Sequence, residues 1–599
     1  MSTLRLDPTP SGRREGLLTT PDEAVRHIPK SSRVAVGGTG SLLQVPETLL
    51  AALERRWLAE KAPGDLDVVH VMGLGDYKGR GIDHIAIPGL VRRFVGSHFV
   101  LSPRQQGLLA RGEVEAVGSA TAASSSIPTL PSGSARNSGG IVVVEVKRTV
   151  ARGAIPAGRV RTGQAAENAL LHGTISLLYR EIAARRPGLF TDIGLDTFVD
   201  PRHQWGRMND RTRLGLSELV TVGGQEWLFY PRFDIDVALL RASEADPDGN
   251  VGMDDEAAVA DNLAIAQAAR NSGGIVVVEV KRTVARGAIP AGRVRIPGAL
   301  VDHLVVTDFP NQTPTTIEDA RRTGAAANRP TRVEALPFDH RKVVARRAAT
   351  ELSAGDLANL GVGMANGISY VALEEGFLDR FTLTVEQGIL GGLPGVGLDS
   401  GTAVNPTAII DMPSTFDLYD GGGLDFAGLA FAQIDRRGNV NVARVGDTPI
   451  GPGGFIDISQ KARTIVFCGT LRGGGLDIRL DDGELRIVRD GRYPKFVEDV
   501  QYVSFNAERA RALGQQVRYV TERAVFRLAE RGVELIEIAP GVDLRRDVLD
   551  RMGFTPMMPT SPRLMDRRFF LPGPAGIRIR PPRDARHRDN QQRERSHTT

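Results

Sequence analysis

Between Phe381 and Gly401 the chain reads FTLTVEQGILGGLPGVGLDSG, a β-rich run that ends on one acid, Glu386, and gives way at once to glycines. A carboxylate is already ionised at neutral pH and can act as a nucleophile without an adjacent base. Gly388, Gly391, Gly392, Gly395 and Gly397 leave the backbone around it bare. Strand ends that open into glycine-rich loops are where open α/β sheets place ligands, because backbone amides there approach a substrate closely. Two further loops share this character, Asp420 to Asp425 (DGGGLD) and Gly451 to Phe455 (GPGGF). Their amides could hold an oxyanion or cradle a phosphate. Taken singly, each feature also fits a solvated acid or an ordinary tight turn.

Other chemistries find less support. None of the three loops has the spacing of a P-loop or of the dinucleotide fingerprint, which disfavours nucleotide hydrolysis. Asp417, Asp420 and Asp425 lack an accompanying His cluster or EF-hand spacing, so they read as turn carboxylates and no metal is expected. Cys468 is the only cysteine, which excludes disulfides within the chain; its apolar run, Ile465 to Gly469, suggests a buried thiol.

The elements that must position Glu386 are short apolar runs between amphipathic stretches. They are Arg33 to Val36, Asp67 to Val71, Val237 to Leu240, Ile275 to Val280 and Leu304 to Val306, then Phe381 to Val385, Ala408 to Ile410, Thr464 to Phe467 and Leu535 to Ile538. Alternation of this kind argues for parallel sheets covered by helices. With 599 residues, two large domains are expected, since single cores stop growing near ~250 to 300 residues. Phe309 to Asn328, rich in Pro, Thr, Asn and Gly, reads as part of a linker. The expected division is a flexible N-terminus over 1–20, a first domain over 21–309, a linker over 310–335, a second domain over 336–571 and a disordered basic tail over 572–599.

Two internal repeats differ in kind. Ala245 to Val251 (ADPDGNV) echoes Ile434 to Val440 (IDRRGNV), and the glycine-rich Val34 to Gly40 has a counterpart in Asn359 to Gly367, which suggests two related halves. By contrast, Ala135 to Arg161 is identical letter for letter to Ala269 to Arg295. Ancient duplication cannot leave perfect identity. The later copy runs on into Ile296-Pro297-Gly298 as a native element would, whereas the earlier one follows the low-complexity stretch 119–134. Residues 119–163 are therefore expected to be an intrusion that packs poorly or lies on the surface.

Charge is nearly balanced, with 75 Lys and Arg against 71 Asp and Glu for a net +4, so the whole chain has no strong field for nucleic acid or an anionic membrane. The arginines after Leu571 are interspersed with Pro, Gly and polar residues without aromatics, and read as a solvated tail in preference to a nucleic-acid arm. No run of about 18 apolar residues occurs and the first ten residues lack a signal core, so a cytoplasmic protein is expected.

At these residues the sequence resembles the type I coenzyme A transferases, in particular the single-chain acetate or 3-ketoacid transferases that include propionate CoA-transferase. The resemblance rests on Val36-Gly37-Gly38, GLDTFVDPR at 194–202, Ala245 to Val251, Ala268 to Gly298, TVEQGILGG at 384–392, Asp420 to Asp425, GNVNV at 438–442, GGFIDISQ at 453–460, TERAVF at 521–526 and EIAPGVDL at 537–544. It implies two related doubly wound α/β domains of the CoA-transferase type, a fold shared with sugar-phosphate isomerases, and a homo-oligomer.

What the resemblance implies for function is exchange of CoA between a short-chain acyl-CoA and a free acid such as acetate, propionate or a 3-ketoacid, as in short-chain fatty acid and ketone body metabolism. Coenzyme A would be a substrate, with no tightly bound cofactor. Glu386 falls on the family's catalytic glutamate, which forms a glutamyl-CoA thioester in a ping-pong cycle. Gly453 and Gly454 would supply oxyanion amides and contact CoA, and the Gly391-Gly392 loop would shape the acyl pocket. The family's Asn-x-Pro-Gln-Gly segment is replaced by Asn168 to Gly173 (NALLHG), so His172 stands where a glutamine reaches the catalytic carboxylate. Imidazole can still donate a hydrogen bond, although as a cation it would weaken the nucleophile. Two alternatives share the site: an acyl-CoA hydrolase using Glu386 with water as acceptor, and an impaired homologue that only binds CoA.

Overall fold

The structure, a computed structural model, describes residues 16–111, 170–207, 217–325, 333–446, 448–558 and 561–583. The first copy of the duplicated segment and the whole expected intrusion, 119–163, lie outside the described residues.

The short apolar runs become strands because they alternate side chains between two covered faces. In the first half, Arg33–Val36 (β1), Leu66–Val69 (β2), Val91–Val95 (β3), Val237–Ala245 (β4), Ile275–Thr283 (β5) and His303–Val306 (β6) form a parallel sheet in the order β3-β2-β1-β4-β5-β6. In the second half, Leu357–Leu360 (β7), Thr382–Val385 (β8), Phe426–Ala430 (β9), Thr464–Cys468 (β10) and Gln516–Val520 (β11) are parallel in the order β8-β7-β9-β10-β11. Each chain path steps outward one way, returns to the centre and steps out the other way. This is the doubly wound α/β arrangement anticipated, and it leaves a switch point between β1 and β4 and another between β7 and β9.

Antiparallel strands extend both sheets, which the alternation of apolar runs does not reveal. Ile389–Leu390 and Ala408–Ile409 add outside β8, while Ala524–Ala529 (β12) and Gly532–Ile538 (β13) add outside β11, and Arg563–Leu564 (β14) runs parallel to β13 at the edge.

The echo between the halves extends to hydrogen bonds. Asp246 Oδ1 accepts from the amides of Asp248 and Asn250, and its Oδ2 from Asn250 Nδ2. Asp435 repeats the pattern with the amides of Arg437 and Asn439 and with Asn439 Nδ2. At the other echo, Gly37 N–H donates to Leu239 O and Gly361 N–H to Gly428 O, each at 2.8 Å, so both glycine loops leave their central strands in the same way. The second copy of the exact repeat occupies an interior place as the end of a helix, Asn262–Asn271 (α2), and β5.

Helix His172–Ala183 (α1) carries Ile175, Leu178, Tyr179 and Ile182 on one stripe, all buried, and packs against α2 and Met412–Asp420 (α4). Helix His340–Ala349 (α3) covers the other face of the second sheet, and the six-residue helix Phe455–Gln460 (α5) follows the GPGG loop. Among the described residues no helix is long and apolar enough to cross a membrane.

The described parts of both stretches expected to be flexible, 16–20 and 572–583, pair with the rest of the fold. Leu17 is buried, its carbonyl accepts from Leu304 N–H at 2.7 Å, and Thr19 N–H donates to Leu304 O at 2.9 Å, so the chain pairs with β6 before residue 20. At the other end, Arg580 pairs with Glu351, Arg583 Nε lies 2.8 Å from Asp356 Oδ1, and the amides of Gly576 and Ile577 donate to Glu375 Oε2. Arginines that read as a solvated tail thus find buried carboxylates more than 200 positions away, which no local pattern reveals.

Candidate active site

Glu386 follows the last residue of β8, beside the switch point of the second sheet. A polar ring fixes the strand end beneath it. Tyr419 Oη donates to Thr384 Oγ1 at 2.7 Å, Thr384 Oγ1 donates to Ala358 O at 3.1 Å, and Asn359 Nδ2 donates to both Thr384 O and Tyr419 Oη. The Glu386 side chain is 14% exposed, enough for a ligand to reach it and little enough that its charge must be held by protein groups.

Those groups come from both halves. Gln387 Nε2 donates to Glu386 Oε1 at 3.3 Å and also lies 3.3 Å from Thr39 Oγ1, in the glycine loop after β1. His172, fully buried at the start of α1, sets Nδ1 3.5 Å from Glu386 Oε1. Its ring lies against Phe416, and Nε2 is 3.1 Å from Met412 Sδ. A carboxylate cannot donate, so the proton facing Glu386 belongs on Nδ1. His172 is placed there because its own N–H donates to Gly453 O at 3.1 Å, which ties the start of α1 to the GPGG loop.

Burial pushes the Glu386 carboxyl upward, but the nearby His172 ring, the Gln387 amide and His98 together outweigh it, so the group sits below the usual glutamate range. His98 is pushed down to about 4, by burial first, with Glu386 opposing and His172 adding. It is neutral near pH 7, which leaves His172 and Gln387 as the principal holders of the carboxylate there.

The loop residues expected at the site separate into two groups. Gly454 touches the carboxylate, since a Cβ at that position would stand 2.0 Å from Glu386 Oε2. Its φ of −87° suits any residue, so glycine is required here by space alone. No acceptor for the Gly454 amide occurs among the described residues. Gly453 is different: its amide donates to Ser97 O at 3.1 Å, and its φ of +55° is the left-handed turn that aims the loop. Of the two expected oxyanion amides, only that of Gly454 is uncommitted.

Gly391 and Gly392 are not brought to the carboxylate. The chain reverses at Gly388, so Ile389 and Leu390 run back along β8 and Gly391 N–H donates to Leu383 O at 2.7 Å. Cβ atoms there would meet Thr407 and Val404 O, each at 2.5 Å, which makes these glycines close-packing positions of the hairpin. The loop that returns to the site is the next one, where a Cβ on Gly401 would lie 3.3 Å from Gln387 Cδ.

Three groups at the site were not singled out from sequence. His98 follows the end of β3 as Glu386 follows β8, and its place after Gly96-Ser97 at a strand end was the available signal. Asp457, in the first turn of α5, is buried with neither carboxylate oxygen hydrogen-bonded. Burial first, then Asp420, push its carboxyl well above the usual range, with Glu386 adding to the shift. Asp261 accepts a hydrogen bond from Ser176 Oγ of α1 and is pushed up to about 7, chiefly by burial. Burial thus raises the carboxyls of Asp261 and Asp457 beside α1, whereas that of Glu386 is lowered by its partners.

A carboxylate, a hydrogen bond to one of its oxygens and a glycine packed against the other, its amide without an acceptor among the described residues, are parts that acyl transfer can use. Comparison with known proteins agrees with that chemistry. A family model described as coenzyme A transferase matches residues 139–307. The acetate CoA-transferase YdiF of Escherichia coli K12 is 38% identical over 565 residues, covering 93% of this chain and 95% of that protein. A caffeate CoA-transferase of Acetobacterium woodii is likewise 38% identical, over 92% of this chain and 96% of its own. The crystal structure of the acyl-CoA transferase YdiF from Escherichia coli O157:H7, as a thioester complex with CoA, superposes with a TM-score of 0.82 at 36% identity, covering 95% of this chain and 98% of that one.

Proposed function

The chain belongs to the coenzyme A transferase family, and from that premise we propose that it moves CoA between a short-chain acyl-CoA and a free carboxylic acid through a thioester on Glu386. The close packing of Glu386 Oε2 against Gly454 carries this reading: a Cβ there would stand 2.0 Å from the oxygen, and the Gly454 N–H, without an acceptor among the described residues, is free to donate to an oxyanion.

The cycle follows from the groups in place. A Glu386 oxygen attacks the acyl-CoA carbonyl, and the Gly454 amide donates to the oxyanion that forms. The C–S bond breaks, leaving an acyl-glutamyl anhydride and CoA thiolate. The thiolate attacks the glutamyl carbonyl, the first acid leaves as a carboxylate, and CoA is joined to Glu386. An acceptor carboxylate reverses both steps. No proton is gained or lost, which fits a site whose nucleophile is kept ionised by Gln387 and His172. Acetate, propionate and 3-ketoacids are the proposed acids.

Initial rates of exchange between acetyl-CoA and labelled propionate or acetate test the proposal. Double-reciprocal plots should be parallel, with CoA ester formed only when an acceptor acid is present. Loss of acetyl-CoA at the same rate without an acceptor would assign the site to hydrolysis instead.

A further inference from the structure

On the other face of the second sheet, a cavity of about 380 Å³ opens between α3, β11, β13, β14 and the C-terminal segment. Its size lies within the ~300 to 1,000 Å³ usual for small-molecule sites. Its walls carry Arg347, Arg518, Arg563 and Arg580 against Glu351 and Glu537. The one other acid of the lining, Asp566, is bonded through both oxygens to Arg568, outside the cavity. Four guanidinium groups facing two carboxylates leave a surplus of two positive charges.

The carboxylates are used up unevenly. Arg347 takes both oxygens of Glu537, at 2.7 and 3.1 Å, and Glu351 Oε1 at 2.9 Å, while Arg580 takes Glu351 Oε2. Arg518 has Nε 3.7 Å from Glu351 and donates from Nη1 to the Val517 carbonyl at 3.1 Å, and Arg563 has one nitrogen 3.4 Å from Glu537. Burial lowers the pKa of Arg518; the charge of Glu351 opposes this, and repulsion from Arg347, Arg580 and Arg527 adds to it. Two guanidinium forks with spare donors, one in the wall and one on the rim, are suited to two oxygens each.

The cavity is separate from Glu386. Val517 and Tyr519 face the core that contains Phe416 and Phe455, so Arg518 points to the opposite face, where Val520 packs with α3. Between β8 and β11 lie four strand spacings, roughly 19 Å. We propose that this arginine-lined cavity is a second ligand site, which takes a small dianionic oxyanion such as a phosphate monoester or a dicarboxylate.

Calorimetric titration of the full chain with inorganic phosphate and, separately, with succinate tests this at low ionic strength, alongside a tungstate soak of crystals to locate the anion by anomalous scattering. Saturable binding of either probe is expected; phosphate alone would point to a phosphate ester, and succinate to a dicarboxylate. Arg518→Gln should weaken binding by about tenfold and the rim variant Arg563→Gln by a smaller factor, with tungstate lying between the two side chains. Because Arg563 is 79% exposed, its variant remains informative if Arg518→Gln fails to fold. No saturable binding below roughly 10 mM, unchanged affinity in Arg563→Gln, or tungstate settling elsewhere would overturn the proposal.

Discussion

Residue 454 and Glu386 are in such close contact that a Cβ added at Gly454 would stand 2.0 Å from Glu386 Oε2. The backbone at Gly454, with φ −87°, would accept alanine. Gly454→Ala should therefore fold with an unchanged melting temperature while displacing the carboxylate from the amide. A fall in kcat of about a hundredfold or more is expected, the scale of losing one oxyanion donor. Gly453→Ala should do the reverse. Its φ of +55° makes alanine strained, so it should lose about 1 kcal/mol of stability. Its activity should change much less, because its amide is already bonded to Ser97 O.

His172 Nδ1 and Glu386 Oε1 lie 3.5 Å apart, and His172 is the leading influence opposing burial at that carboxylate. His172→Ala should lower kcat/KM by about tenfold to a hundredfold, the scale of a hydrogen bond to a charged group. It should also move the acidic limb of the pH profile upward, because burial would then raise the Glu386 pKa with less opposition. His172→Gln keeps a donor at the position and should restore most of the rate. A profile whose acidic limb does not move in His172→Ala would show that the two side chains are not coupled.

Glu279, on β5, is pushed up to about 7 by burial, against the opposing charge of Arg241, with only one oxygen hydrogen-bonded, to Leu49 N–H. A raised folded-state pKa contributes stability that is complete below the unfolded value and is lost as pH rises to about 7. Glu279→Gln, which mimics the protonated acid, should match the parent near pH 4 and exceed it above pH 7. The difference should be about 3 kcal/mol at most, since each tenfold change in the protonation equilibrium is worth about 1.4 kcal/mol. Denaturant unfolding at the two pH values measures it.

Asp399 fastens the segment 313–322 to the second half, taking Thr313 Oγ1 at 2.6 Å, Thr315 Oγ1, and Arg322 Nη2 at 2.9 Å. Asp399→Ala leaves Arg322, only 12% exposed, without that carboxylate. A loss of about 1 to 3 kcal/mol is expected, less than the ~3 to 5 of a fully buried pair because some water reaches it. Amide hydrogen exchange should quicken over residues 395–402, whose Gly401 lies against Gln387.

Much of the fold is legible in the sequence where the determining forces are local. The short apolar runs at 33–36, 237–240, 275–280 and 464–467 all fall within strands, and Glu386 stands at the end of one. The Asp246 and Asp435 turns, picked out by their shared glycine and asparagine, also share hydrogen bonds. What fails depends on direction or distance. Glycine composition does not tell which way a hairpin turns, so the reversal at Gly388 that packs Gly391 and Gly392 against Thr407 and Val404 leaves no sign in the sequence. His98 influences Glu386 electrostatically from nearly 290 positions away, and Asp457 packs beside Gly173 after a similar gap; neither relationship leaves a periodic trace. Arg580 and Arg583 look like tail charges because their acids, Glu351 and Asp356, lie far upstream.

Intact mass spectrometry of the chain incubated with acetyl-CoA tests most directly whether Glu386 carries CoA. The parent should gain one CoA joined with loss of water. Excess acetate should remove that adduct, and it should be missing in both Glu386→Gln and Glu386→Ala. Turnover of acetyl-CoA and propionate without any such adduct, or an adduct that persists in Glu386→Gln, would contradict the account.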